Sequence, residues 1–314
     1  MKRQQSVVVF GSMNMDLSVA CERMPRAGET IAGSDFFTAA GGKGANQAVA
    51  AARRGVATYM IAAVGADSFG DELTRGLEAA GVDCTHVEHL ADIPTGTATI
   101  LRSGGDNRIV LSAGANTVRT GEDAVRSLDA LVAAGAVGMG SVFVAQGECD
   151  LSATAEALVH AHRLGCFTIF NPAPACQLPA ETWQEVDLVC LNETECEAVT
   201  GILPVDDASC TEALRALEQL TAGGTAVITL GGAGSAALIE DVLMQVPAQD
   251  CEVVDTTAAG DTYIGVFAAA RAEGETLFEC MMQASLAAGL AVTRLGAQPS
   301  IPTWDEVIRW AMSR

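Results

Sequence analysis

The apolar positions of this chain fall into two alternating patterns. Short runs rich in β-branched residues, Val7–Phe10, Tyr59–Val64, Val142–Ala145, Phe167–Phe170, Leu188–Leu191 and Ala226–Leu230, have the length and continuity of strands buried on both faces. Between them lie Ala-rich amphipathic stretches, Ala45–Arg54, Gly70–Ala80, Gly121–Ala134, Leu151–Leu164 and Thr211–Thr221. Strand–helix alternation at this spacing predicts an α/β fold with a mostly parallel sheet flanked by helices on both faces. Ligands on such sheets sit outside the carboxyl ends of the strands.

Two regions break the rhythm. Residues 17–40 and 95–112 read as strands with no helix between them, and Thr97–Arg102 and Arg108–Ser112 flank a hairpin connection, Ser103-Gly104-Gly105-Asp106-Asn107. They predict a small β-sheet lid inserted into one α/β domain spanning residues 1–314. Residues 259–314 read as helix-rich. There is no internal repeat and no Pro-rich linker.

Composition narrows the function classes. Apolar residues make up 49 % of 314 positions, enough for a sizeable core. The mean hydropathy of +0.28 invites a membrane reading, yet no uninterrupted apolar stretch reaches the ~20 residues of a span. The basic start, Met1-Lys2-Arg3-Gln4-Gln5, is followed by an apolar run, Val7–Phe10, too short for a signal peptide. The expected location is the cytoplasm. A formal charge of −21 disfavours nucleic acid and anionic membranes as partners. An anionic ligand must therefore be held by local devices: backbone N–H groups, helix N-termini and a divalent ion. The ten cysteines contain no C-x-x-C pair, and with four histidines a zinc site is not expected.

Five loops at strand ends carry chemistry. In Phe10-Gly11-Ser12-Met13-Asn14-Met15-Asp16, an amide and a carboxylate two residues apart suit a vicinal diol, or form a simple Asx-rich turn. Gly41-Gly42-Lys43-Gly44-Ala45-Asn46-Gln47 leads into a helix with close backbone approach and exposed N–H groups, and places three polar residues in an Ala–Val helix start. It is neither a Walker A loop nor a dinucleotide fingerprint, which disfavours a nicotinamide-dependent oxidoreductase. In Asp255-Thr256-Thr257-Ala258-Ala259-Gly260-Asp261-Thr262, small residues open a helix whose N–H groups can form an anion nest, with Asp261 beside it to accept a hydroxyl proton. Thr229-Leu230-Gly231-Gly232-Ala233-Gly234-Ser235 reads as a phosphate cradle or as a tight turn, and Asn192-Glu193-Thr194-Glu195 as an acidic helix start or an organiser of a metal's water shell.

Together these loops resemble the ribokinase family, also called the PfkB carbohydrate kinases. Gly42, Gly44 and Asn46 are similar to its N-terminal signature and Asp255–Thr262 to its C-terminal one, and the likeness runs from Val7 to about Pro302. Asn171-Pro172-Ala173-Pro174 and Gly296-Ala297-Gln298-Pro299-Ser300 add to it. The resemblance implies ATP-dependent phosphorylation of the 5-hydroxyl of D-ribose, or of 2-deoxyribose or another small sugar or nucleoside. It implies Asp261 as base with Ala258, Ala259 and Gly260 as anion hole. Asn14, Asp16, Gly42, Lys43, Gly44, Asn46, Glu148 and Asp261 would hold the sugar. Asn192, Thr229, Leu230, Gly231, Gly232, Ala233, Gly234, Gly260 and Ser285 would hold ATP, and Glu195 would position Mg2+ and phosphate. Asp255, Thr257, Ala291, Arg294, Gly296 and Ser300 would hold K+ as a monovalent activator, and the lid would form a homodimer contact. Four positions depart from the family pattern: Leu191 replaces Pro, Tyr263 replaces Phe, Ser285 replaces His or Asn, and Gly147 replaces a larger apolar residue.

Overall fold

The first strand, β1 (Val7–Phe10), has all four side chains buried, and its two-residue period sorts them into two cores. Val7 and Val9 join one apolar cluster and Val8 and Phe10 join another, one on each side of a central sheet. The structure is a computed structural model that describes residues 5–104 and 106–314. The N-terminal residues 1–4 and Gly105 of the hairpin connection lie outside the described residues.

The other strands are β2 (Asn14–Cys21), β3 (Gly33–Gly41), β4 (Thr58–Gly65), β5 (Val82–Leu90), β6 (Gly96–Ser103), β7 (Asp106–Ser112), β8 (Val142–Gln146), β9 (Phe167–Asn171), β10 (Leu188–Asn192), β11 (Thr225–Thr229), β12 (Ser235–Ile239) and β13 (Val242–Val246). The helices are α1 (Lys43–Arg54), α2 (Ser68–Ala79), α3 (Gly121–Ala133), α4 (Leu151–Arg163), α5 (Ala180–Trp183), α6 (Glu193–Thr200), α7 (Asp207–Leu220), α8 (Ala259–Ala272), α9 (Leu277–Ala291) and α10 (Trp304–Met312). Nine strands form one sheet in the order β13-β12-β11-β10-β9-β8-β1-β4-β5. It is parallel from β11 to β5, and β12 and β13 close one edge antiparallel. Side chains of α1, α2, α8, α9 and α10 fill the core on one face, and those of α3, α4, α6 and α7 fill it on the other.

The remaining four strands form a separate sheet in the order β3-β2-β6-β7. It grows from the carboxyl edge of the large sheet: three residues separate β1 from β2, and β3 runs straight into the start of α1. Close packing demands glycine at that junction. A Cβ on Gly44 would lie 2.7 Å from the Cα and carbonyl carbon of Gly11.

Three strands escape a reading by pattern. The sequence of β5, VDCTHVEHL, alternates buried and exposed positions on the sheet's edge and carries charges on its exposed side. The short strand β12 pairs antiparallel with β11, which makes the Gly231–Gly234 segment a hairpin connection closed by Leu230 N–H donating to Gly234 O at 2.7 Å, and β13 returns along β12. Among the described residues no helix is long and apolar enough to cross a membrane.

Candidate active site

Most helices carry a side-chain cap at the N-terminus: Asp67 on α2, Thr120 on α3, Asp150 on α4, Asp206 on α7 and Thr276 on α9. The two helices that start beside the small sheet's roots do not. The residue preceding α1 is Gly42 at φ +91°, and that preceding α8 is Ala258 at φ +59°. Left-handed backbone at a non-glycine residue is strained, at a cost of about 1 kcal/mol. In α8 the first helical bond is Thr262 N–H to Ala258 O at 2.8 Å, so the N–H groups of Gly260 and Asp261 precede it with no intrahelical partner. Gly260 and Asp261 both line a cavity of about 210 Å³ together with Lys43, Asn171, Asn192, Glu195, Thr229 and Ala258.

Asp261 sits in the first turn of α8 and is only 9 % exposed. Its Oδ2 accepts from Asn46 Nδ2 at 2.9 Å and its Oδ1 from Gln47 Nε2 at 3.0 Å. Opposite, Asn14 and Asp16 project from one face of β2, two residues apart as the strand period requires. Asn14 Oδ1 is held by Asn116 Nδ2 at 2.7 Å, and Asn116 Oδ1 in turn accepts from Met13 N–H at 2.9 Å. Burial, then the charges of Glu148 and Asp261, pushes the Asp16 carboxyl up to about 7. Glu148 accepts from the Ser12 hydroxyl and, at 3.1 Å, from Lys43 N–H, so a carboxylate from after β8 caps α1 across more than 100 residues of sequence. Burial pulls the Lys43 ammonium down, but Asp261, Glu148 and Glu195 outweigh it and hold the amine above its ordinary range.

On the nucleotide-facing side implied by the sequence, Asn192 and Glu195 form a reciprocal cap on α6. Asn192 Oδ1 accepts Glu195 N–H at 2.8 Å, and Glu195 Oε2 accepts Asn192 N–H at 3.0 Å. Burial pushes the Glu195 carboxyl up, against the pull of the Asn192 N–H and of Lys43. The carboxylate therefore faces the cavity while one of its oxygens serves the helix.

These geometries carry family hallmarks, and the pfkB family carbohydrate kinase description matches residues 4–304. The chain belongs to the pfkB family of carbohydrate kinases. The ribokinase of Haemophilus influenzae is 34 % identical over 308 residues, covering 98 % of both chains. A deoxyribokinase of Salmonella typhi is 34 % identical over 304 residues, covering 96 % of both. The solved structure of Arabidopsis thaliana ribokinase, complexed with ribose and ATP, superposes with a TM-score of 0.86 at 30 % identity, covering 97 % of this chain and 98 % of that one.

Within this pfkB-family frame the expected residues separate into groups. Lys43, Asn192, Glu195, Thr229, Ala258, Gly260 and Asp261 share the cavity. Asn14, Asp16, Gly42, Gly44, Asn46 and Glu148, expected to hold a sugar, do not line it; Asn46 reaches it by its bond to Asp261 and Glu148 by its bond to the Lys43 N–H. Gly231, Gly232 and Ala233 are exposed beyond Thr229, next to Leu230 and Gly234. Ser285 stands apart on α9, where its hydroxyl donates to Pro247 O at 3.0 Å. Near α8, Asp255 Oδ1 accepts Thr257 N–H at 2.9 Å and Oδ2 accepts Gly296 N–H at 2.9 Å, which joins the loop before α8 to the loop after α9. Ala291 O accepts Arg294 N–H at 3.0 Å, and the Ser300 hydroxyl donates to Ala297 O at 2.8 Å. The Asp255 carboxylate and the Ala291 and Ala297 carbonyls keep lone pairs of the kind a hard monovalent cation takes. Among the described residues no group of three or more His, Cys, Asp or Glu could hold a metal ion. Magnesium usually keeps several waters and binds through one or two carboxylates with substrate phosphates, and Glu195 is the cavity carboxylate that fits such a role.

Sequence pattern alone passed over Gln146 and Asn116, and it marked Gln47, as one of three polar residues at a helix start, and Asn171, within its proline string, without giving either a role. Gln146 and Asn171 each end an apolar strand, β8 and β9, at the carboxyl edge. A lone amide at that place was the available signal.

Proposed function

We propose that the chain transfers the γ-phosphoryl group of ATP to the 5-hydroxyl of D-ribose, giving ribose 5-phosphate. One observation carries the reading: a nearly buried carboxylate, Asp261, at the uncapped N-terminus of a helix, inside a cavity that also holds Lys43, Asn192 and Glu195. Asp261 accepts the proton of the attacking hydroxyl, and the N–H groups of Ala258, Gly260 and Asp261 face the charge that develops on the transferring group, while the Ala259 N–H, expected beside them, is taken by Thr256 O at 3.2 Å. Asn14, Asp16, Gly42, Gly44, Asn46 and Glu148 orient the sugar, with Asp16 and Asn14 taking adjacent hydroxyls. Lys43, from the same loop, also holds the sugar; Asn192, Thr229, the Leu230–Gly234 turn and Gly260 hold the nucleotide, and Ser285 borders it. Magnesium, where bound, neutralises phosphate charge beside Glu195. Potassium, where bound at Asp255, Thr257, Ala291, Arg294, Gly296 and Ser300, supplies fixed positive charge that steadies the loop opening α8.

The small sheet acts as a lid inserted in a single domain, closing over the sugar and excluding water. Its face bearing Asn14 and Asp16 continues outward into Phe37, Ile109 and Leu111, exposed by 46, 58 and 48 %. Such a face on a short four-stranded sheet is best covered by a second copy. Ile109→Asp is expected to weaken self-association about a hundredfold, read by sedimentation equilibrium; an unchanged dimer, or a wild type that is monomeric at every concentration, would remove this contact. The cytoplasm is the compartment we assign, supported by ten cysteines that are all free thiols.

With MgATP, ADP release is expected to follow ribose, with kcat/KM for 2-deoxyribose lower by about 10- to 100-fold because the missing hydroxyl leaves a buried acceptor unpaired. A reversed preference would replace the sugar and retain the chemistry, a result that the equal identity to the deoxyribokinase makes worth measuring. No turnover on any small sugar by the folded enzyme would sink the reading.

A further inference from the structure

Asp261 is bound by two neighbouring residues of α1 whose circumstances differ. Asn46 is 5 % exposed and its Oδ1 is buried without a hydrogen-bond partner. Gln47 is fully buried at 0 % exposure and every part of its amide is engaged. One N–H goes to Asp261 Oδ1 at 3.0 Å and the other to Asn171 Oδ1 at 3.3 Å, while its Oε1 accepts from Gln146 Nε2 at 2.7 Å.

The orientation of this chain of amides follows from its end. Asn171 donates Nδ2 to the main-chain oxygen of Cys190 at 2.8 Å. A carbonyl can only accept, so Asn171 must turn its oxygen toward Gln47. Gln47 must then present its NH2 to Asn171 and Asp261, and its oxygen to Gln146. The ends of β8, β9 and β10 thereby dictate which atoms of a helix residue meet the carboxylate of α8.

We propose that Gln47 is a positioning residue for phosphoryl transfer: it anchors Asp261 through Oδ1 and so reserves Oδ2 as the oxygen that takes the hydroxyl proton. Asn46 is the exchangeable partner. Its unpartnered oxygen lacks a donor that a sugar hydroxyl supplies, and on turning to the sugar it releases Oδ2. Gln47, saturated and sealed, stays. This assignment rests on the phosphotransfer reading above.

The test measures kcat, sugar KM and the pH dependence of kcat for the wild type, Gln47→Met and Gln146→Met, with melting temperatures as the check of folding. Gln47→Met keeps the volume and removes the anchor. Its kcat is expected to fall about 30- to 100-fold with sugar KM within about threefold, and the acid limb of the kcat profile to move to higher pH, since a donor to the charged carboxylate is gone. Gln146→Met leaves Gln47 in place and frees it to rotate. Removal of the Gln146 amide leaves the Gln47 Oε1 without a donor but also takes away a buried oxygen that has no partner, which offsets part of the cost, and kcat is expected to fall about 3- to 10-fold with the acid limb displaced the same way. Should Gln47→Met fail to fold, the Gln146→Met profile decides alone. Unchanged acid limbs, or losses confined to KM, would overturn the proposal while leaving wild-type phosphotransfer intact. A wild type inactive on every sugar would overturn the underlying reading as well.

Discussion

Asp261→Asn is expected to lower kcat by about 10²- to 10⁴-fold while leaving the protein folded. The side chain keeps its shape but loses the ability to take a proton. It also meets a mismatch, because Asn46 and Gln47 both point N–H groups at its oxygens. An asparagine there must set its own NH2 against one of those donors. The lost hydrogen bond costs about 1 kcal/mol of stability, a fall of a few degrees in melting temperature for a domain of this size. Steady-state assays beside thermal melts separate the two effects. A kcat within tenfold of wild type would remove Asp261 from the role of base.

Asp16→Asn is expected to act in opposite directions on function and stability. The carboxyl is pushed to about 7, first by burial and then by Glu148 and Asp261. In the unfolded chain it ionises near the ordinary aspartate value of 3.8. The folded state therefore holds a proton between about pH 4 and 7 that the unfolded state has released, and stability contributed at this position falls as pH rises through that window. Above pH 7 the folded protein bears an ionised carboxylate beside two others. Removing it is expected to stabilise the sugar-free protein by about 1–3 kcal/mol at pH 8 and by little at pH 4. The same change is expected to cost about 10²-fold in kcat/KM, mainly through KM, because hydroxyl bonds to a charged acceptor are the strong ones. Melting curves of both proteins from pH 4 to 8 test the first part; a stability gap that does not widen with pH would contradict the buried-carboxylate account. Wild-type sugar binding near pH 7 should also release protons, seen as buffer-dependent binding heats.

Local pattern made much of this molecule legible. The run Val7–Phe10 announces a strand buried on both faces because both of its faces are covered by helices. The Asp255–Thr262 string announces an uncapped helix start because small residues admit a bare N-terminus. What stayed hidden depends on partners far away in sequence. Gln47 meets Gln146 across 99 residues and Asp261 across 214, so nothing near Gln47 reveals that its amide is fully engaged. Glu195 was legible as an acid at a helix start, yet its bond back to Asn192 N–H shows the same residue serving helix and cavity together. Strand β5 was lost for the opposite reason: its polar half faces solvent at a sheet edge, where no apolar repeat is required.

The sugar's proposed ligands are divided between two bodies. Asn14 and Asp16 belong to the small sheet, while Asn46 and Asp261 belong to helices on the large one. The strand that offers Asp16 pairs directly with β6, which carries the outer face on to β7 and its exposed apolar residues. If a second copy covers that face, anything that steadies the sheet from outside also presets the sugar's contacts inside. Linkage then runs both ways: association favours ligand, and ligand favours association by the same factor. Specific activity at subsaturating sugar would depend on how concentrated the enzyme is, and dilution would act as an inhibitor.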